Sequence, residues 1–248
     1  MGTEKILLMT GASSDIGLAY MKLLNEQKEH HVILGQYYSN GTLLEKAREK
    51  YLNLKIIPYC CNLENEDEVR KWTDCVRHEG IIPNQIVHLA APRLEYIRYK
   101  NLTYKKIEDN MKVQVASLFW ITQEFLPDMV KEHYGRIVIM LTACTLGVPP
   151  RNMSHYVISK YALLGLIKSL SSEYGDKGIR INGISPNMIE SKFLQNIDPR
   201  FVEKNAMNST MKRNVYVDEV AETIRFLLSE KAEYFNGINL NMTGGDIM

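Results

Sequence analysis

The chain has 248 residues, of which 45% are hydrophobic and 24% charged, an ordinary composition for a globular protein with a sizeable core. With 30 basic and 29 acidic residues the net charge is +1, so neither nucleic acid nor an anionic membrane is favoured as a partner. There is no apolar run long enough to span a bilayer and no secretion signal, and Cys60, Cys61, Cys75 and Cys144 lack metal-ligand spacing, so the expectation is a cytoplasmic protein with reduced thiols and no metal site.

Along the chain, short apolar runs rich in β-formers alternate with helical patterns. The first expected strand, 5–9, contains Ile6-Leu7-Leu8-Met9 and runs into the turn Thr10-Gly11-Ala12-Ser13-Ser14-Asp15-Ile16-Gly17, with a helix over 16–27. A strand, a glycine turn and a helix in that order aim backbone N–H groups and a helix N-terminus at an anion, which suits a dinucleotide pyrophosphate. Further strands are expected at 32–36, 55–60, 85–89, 136–141, 180–184 and 238–241, and helices at 41–51, 65–78, 103–109, 112–133, 154–175 and 218–228. Continuously apolar strands separated by helices imply a parallel sheet covered on both faces. The fold class is therefore α/β, one Rossmann-type doubly wound domain of about seven strands, with ligands beyond the carboxyl ends of the strands. The longest irregular stretch, about 187–217, reads as an active-site lid or as a surface excursion.

Tyr156-Val-Ile-Ser-Lys160 falls inside the sixth helical pattern. Residues four apart share a helix face, so the phenol and the ammonium can reach one ligand. An ammonium favours the phenolate, and lowering a tyrosine pKa from about 10 by roughly three units takes about 4 kcal/mol, which a lysine together with a cofactor cation in a dry site can supply. Such a pair suits proton transfer at a carbonyl or alcohol oxygen.

With these residues placed, the chain resembles the short-chain dehydrogenase/reductase family, most closely its 3-oxoacyl carrier-protein reductase-like members. The resemblance runs over essentially the whole chain: the turn at 10–17, Gly135-Arg136-Ile137-Val138, Tyr156 with Lys160, the segment Gly178 to Pro186, and the ending Asn236 to Gly245. It implies that Tyr156 is the acid/base and that Lys160 lowers its pKa and holds the nicotinamide ribose. The family's catalytic serine corresponds to Thr142, with Cys144 and Thr145 as neighbours if the register differs, and its helix asparagine corresponds to Gln114. On this alignment Gln114→Asn should be tolerated or beneficial. Cofactor contacts are implied for Gly11, Ser13, Ser14, Asp15, Ile16, Tyr37, Asn40, Asn62, Leu63, Ala90, Ala91, Tyr156, Lys160, Pro186, Ile189 and Ser191. The chain departs from the family pattern at Asp15, at His88-Leu89-Ala90-Ala91, where two amides are lost, and at Asn187. His88 reads as a structural residue at a strand end.

The end of the second strand, Gln36-Tyr37-Tyr38-Ser39-Asn40, carries no acid to repel a 2′-phosphate and no arginine to clamp one. NADP(H) is therefore favoured over NAD(H). The implied activity is hydride transfer between a nicotinamide cofactor and a small carbonyl or alcohol substrate, with a carrier-bound 3-oxoacyl thioester as one candidate. The alternative is a dinucleotide-binding sensor or assembly partner with weak turnover. Val113, Leu118, Phe119, Trp120, Phe125 and Leu126 are more apolar surface than one buried stripe needs, so a homotetramer is expected, or else a dimer.

Overall fold

The computed structural model describes residues 4–246. Seven parallel strands form one sheet in the order β3-β2-β1-β4-β5-β6-β7. They are β1 (Ile6–Thr10), β2 (His31–Tyr37), β3 (Leu54–Cys60), β4 (Gln85–His88), β5 (Gly135–Met140), β6 (Ile179–Pro186) and β7 (Asn239–Met242). The order reverses between β1 and β4, where Leu7 pairs with Gln85 and Thr10 with His88. The crevice at such a reversal is where an open α/β sheet binds its ligand.

Alternate side chains along each central strand feed two cores, as a sheet buried on both faces requires. Leu7, Met9, Val87, Val138 and Met140 pack on one side with α1 (Asp15–Glu26) and α8 (Val217–Leu228). Leu8, Ile86, Ile137 and Ile139 pack on the other with α3 (Glu66–His78), α5 (Ser117–Lys131) and α6 (Ser154–Tyr174). The short helix α2 (Thr42–Lys50) adds Leu44 and Ala47 to the first core.

Two expectations need correction. The helices expected at 103–109 and 112–133 are not separate: α4 (Tyr104–Met111) continues through a π-helical turn, Lys112–Ala116, into α5. Inserting one residue into a helical ladder in this way leaves the helix unbroken but redirects its carbonyls. The stretch 187–217 is not wholly irregular either. It holds a 3₁₀ turn, Lys192–Leu194, and α7 (Pro199–Asn208), with Asp198 as its N-cap and Pro199 at its first position. The Asp-Pro pair is a helix-start signal that the sequence did carry. The segment is tied down by Asn214, 2% exposed, whose Nδ2 donates to Glu190 Oε1 at 3.1 Å and to the Val202 carbonyl at 3.2 Å.

Candidate active site

The glycine turn lies between the ends of β1 and β2. Gly11 has φ +63°, and a Cβ there would press on the Ala90 backbone at 3.0 Å, so glycine is required on both counts. Its N–H donates to Gln36 Oε1 at 2.8 Å, while Gln36 Nε2 donates to the Cys61 carbonyl at 2.8 Å. One buried amide thus fastens the turn to β2 and to the loop after β3. Ser14 caps α1, its hydroxyl accepting from Gly17 N at 3.2 Å. The first-turn N–H groups of a helix have no intrahelical acceptor, so those of Asp15 and Ile16 emerge at the sheet crevice. A turn of small residues, Gly11-Ala12-Ser13-Ser14, in front of a helix N-terminus fits a dinucleotide pyrophosphate.

Asp15 does not turn its carboxylate toward that crevice. Oδ2 accepts the Lys192 backbone N–H at 2.6 Å, and Oδ1 lies 3.9 Å from Lys192 Nζ. The departure from glycine therefore clasps the start of α1 to the segment after β6. Tyr37 ends β2 with its ring against Gly41, and Asn40 Oδ1 accepts Thr42 N at 3.0 Å. Asn62 Oδ1 accepts Glu64 N at 3.1 Å, and Leu63 is buried beside it. Ala90 and Ala91 follow β4, and Pro186 ends β6. Ile189 bridges to Val215, and Ser191 Oγ lies 3.5 Å from the Ile189 carbonyl. Ser13 sits half-buried in the glycine turn. These residues follow the carboxyl ends of β1, β2, β3, β4 and β6.

Tyr156 and Lys160 lie on the buried face of α6, 8% and 2% exposed. The ammonium sits 5.5 Å from the phenol ring centroid and donates to the Met140 carbonyl at 2.6 Å. Thr142, just beyond β5, accepts from Cys144 N at 3.4 Å and starts the 3₁₀ turn Ala143–Thr145. Burial raises the Tyr156 pKa above its ordinary value, against the pull of the Thr142 hydroxyl toward the phenolate. The lowering expected from the sequence took the ammonium together with a cofactor cation; among the protein groups alone burial outweighs the ammonium, which is itself desolvated and pushed down to about 7. The cofactor-free site thus holds a protonated phenol beside a lysine poised near neutrality. Phe193, from the 3₁₀ turn at 192–194, stands 6.3 Å from the Tyr156 ring between centroids, and Leu94, Met153 and Ile197 complete an apolar cluster around the phenol.

Gln114 lies in the π turn, fully buried, with Nε2 donating to Ser159 Oγ at 2.8 Å. An asparagine would fall roughly one carbon–carbon bond, about 1.5 Å, short of that hydroxyl. The geometry therefore argues against the tolerance of Gln114→Asn expected from the alignment. Ser159, Gln36 and Lys192 were missed by sequence reasoning, whereas Phe193 falls in the stretch read as a lid. Only Ser159, three residues after Tyr156 on the same helix face, carried a local signal. Among the described residues no group of His, Cys, Asp and Glu is arranged to hold a metal ion. No helix among them is long and apolar enough to cross a membrane.

A family model described as enoyl-(acyl carrier protein) reductase matches residues 11–246. The chain belongs to the short-chain dehydrogenase/reductase family and is an NAD(P)(H)-dependent oxidoreductase. It is 28% identical over 247 residues to a 3-oxoacyl-[acyl-carrier-protein] reductase of Buchnera aphidicola, covering 99% of this chain and 98% of that protein. Nodulation protein G of Rhizobium meliloti is likewise 28% identical, over 263 residues, covering 99% of this chain and 98% of that protein. Among solved structures, levodione reductase superposes with a TM-score of 0.88 at 21% identity, covering 99% of this chain and 98% of that one.

Proposed function

We propose that the chain reduces ketones, with 3-oxoacyl thioesters as the substrate class, and that it prefers NADPH. The observation that carries this reading is the placement of Tyr156, Lys160 and Thr142 together at the carboxyl end of β5, across the crevice from the glycine turn. A nicotinamide dinucleotide held in the crevice would supply hydride for the carbonyl carbon. Tyr156, kept protonated by burial, gives its proton to the carbonyl oxygen, and the Thr142 hydroxyl donates a hydrogen bond to the same oxygen. The phenolate left behind is compensated by the Lys160 ammonium, and a lysine held near 7 can return the proton. Gly11, Ser13, Ser14 and the N–H groups of Asp15 and Ile16 would hold the dinucleotide pyrophosphate. Tyr37, Asn40, Asn62, Leu63, Ala90 and Ala91 border the adenosine and ribose path, and Pro186, Ile189 and Ser191 border the nicotinamide.

The relatives named as 3-oxoacyl reductases support the thioester class, as do the apolar side chains of Leu94, Met153 and Ile197 around the phenol. The absence of a carboxylate in Gln36–Asn40 supports NADPH. The segment 187–217 acts as a lid, with Phe193 moving away from Tyr156 as substrate enters. A shallow groove of about 300 Å³ along Met111, Val115, Ala116, Phe119 and Leu166 supports assembly through this face into a homotetramer in the cytoplasm, which light scattering can check. The functional test is cofactor oxidation with a panel of β-keto thioesters and simple ketones. Tyr156→Phe should lose at least about 10²-fold in rate while cofactor affinity stays within a few-fold. Retention of more than half the wild-type rate would refute the assignment.

A further inference from the structure

A buried chain of hydrogen bonds joins the dinucleotide turn to the catalytic helix, and His88 is its hub. His88 ends β4 opposite Thr10, the residue before Gly11. Its Nδ1 lies 2.8 Å from Thr10 Oγ1, and its Nε2 lies 2.8 Å from the main-chain carbonyl of Gln114. That carbonyl belongs to the π turn. Gln114 then donates through Nε2 to Ser159 Oγ at 2.8 Å and, more weakly, to Asn110 Oδ1 at 3.3 Å. Ser159 in turn donates to the Tyr156 carbonyl at 2.8 Å. Thr10, His88, Gln114 and Ser159 are each no more than 1% exposed.

The proton positions follow from the acceptors. A carbonyl can only accept, so Nε2 carries the hydrogen toward Gln114. Burial, and after it the Lys160 charge, pushes the imidazole down to about 3, against the pull of the Gln114 carbonyl, so the ring is neutral. Nδ1 then accepts from the Thr10 hydroxyl, whose oxygen takes the Ala90 N–H at 3.4 Å. Each end of the ring therefore has one role, and neither can be exchanged without breaking the chain. The arrangement is not the cheapest way to fill this volume, since Gln114 Oε1 is buried without a partner. What it does is fix three elements relative to one another: the strand that carries the glycine turn, the π turn, and the helix that presents Tyr156 and Lys160.

We propose that His88 is a positioning residue for hydride transfer, holding the π turn against the dinucleotide turn and, through Gln114 and Ser159, setting the backbone that aims Tyr156 and Lys160 at the reacting centre. The inference rests on the reading of Tyr156 as the proton donor. It assigns a task to the two places where this chain replaces the family's amides: an imidazole spans what an asparagine after β4 cannot, and a glutamine reaches what an asparagine in the helix cannot.

The test compares His88→Asn, His88→Gln, Gln114→Asn and the double variant His88→Asn/Gln114→Asn with wild type, beside Tyr156→Phe, using a turned-over ketone. A glutamine amide can stand in for Nε2 and keep the bond to the Gln114 carbonyl, whereas an asparagine amide stands in for Nδ1 and loses it. His88→Asn and Gln114→Asn should each lower kcat about ten- to a hundred-fold, the loss of one or two buried hydrogen bonds, with the ketone KM and the cofactor Kd within about threefold. His88→Gln should restore kcat to within a few-fold of wild type. The double variant should be little worse than either single one, because both break the same chain. A His88→Asn kcat within threefold of wild type, or effects that simply multiply in the double variant, would overturn the inference. Should His88→Asn fail to fold, Gln114→Asn and His88→Gln decide by the same criteria. A silent Tyr156→Phe overturns the underlying reading, whereas a dead Tyr156→Phe beside an unaffected His88→Asn overturns this inference alone.

Discussion

Replacing Asp15 with alanine should loosen the segment after β6 without touching the sheet. The carboxylate accepts the Lys192 backbone N–H at 2.6 Å on a side chain 24% exposed, a hydrogen bond to a charged acceptor in a half-buried place. Such a bond is worth about 1.5–3 kcal/mol. The contact with Lys192 Nζ, at 3.9 Å on a side chain 73% exposed, is solvent-screened. It adds no more than about 0.5 kcal/mol. Local opening around Lys192 should then become about ten- to a hundred-fold more frequent. Amide hydrogen exchange reads this directly, since the proton concerned is the one held by Asp15. The Lys192 amide in cofactor-free Asp15→Ala should exchange faster by that factor, while the amides of β1 and β4 keep their protection. Asp15→Asn retains an acceptor oxygen without the charge and should fall in between. An unchanged Lys192 exchange rate in Asp15→Ala would show that the clasp does not hold the segment closed.

Thr142→Ser should keep or raise the reduction rate, and Thr142→Ala should cost about ten- to a hundred-fold, the worth of one hydrogen bond to the reacting oxygen; a silent alanine variant would move the oxygen site elsewhere. Calorimetry should find NADPH bound more tightly than NADH, with Tyr38→Asp reversing the order by placing a carboxylate beside the 2′-phosphate, and a wild-type preference for NADH would place selection in another segment. Burial holds Lys160 at about 7 instead of 10.5, so between those pH values the unfolded chain binds a proton that the folded chain does not. The cofactor-free protein should therefore gain stability from this group as pH rises above 7 and bear the full cost below it, at most about 4–5 kcal/mol. Lys160→Met should raise the thermal midpoint at pH 6 and have less effect at pH 9, and a lower midpoint at pH 6 would contradict this account of the burial cost.

Much of the sheet was legible because its strands carry short apolar runs, as at 6–9 and 137–140, and much of the helix pattern because Asn65 and Thr103 stand where helix caps belong. Tyr156, Lys160 and the glycine turn were legible because their chemistry depends on local spacing. The rest depends on contacts between distant residues. Nothing near Asp15 announces that its acceptor will serve Lys192, and nothing near His88 announces the carbonyl of Gln114. The burial of the pair was hidden for the same reason: spacing places an ammonium near Tyr156, but only packing reveals that both groups have left water. The π turn was invisible because its composition is that of any helix, and it differs from one by a single residue in the ladder.

Helix α1 is made early and finished late. Its inward residues Ala19, Tyr20 and Leu24 share one core with Val220, Ala221, Ile224, Leu227 and Leu228 of α8, which the chain supplies only near its far end. At synthesis rates of about 5–20 residues per second, that interval lasts roughly 10–40 s on the ribosome. Throughout it the helix behind the glycine turn has β1, β2 and α2 beside it but lacks the α8 side of its core, and the carboxylate of Asp15 waits likewise for Lys192. The segment that reads most plainly as a nucleotide site is thus among the last to be locked in place. A nascent chain stalled before α8 would present a greasy helix to chaperones rather than a competent site to a cofactor.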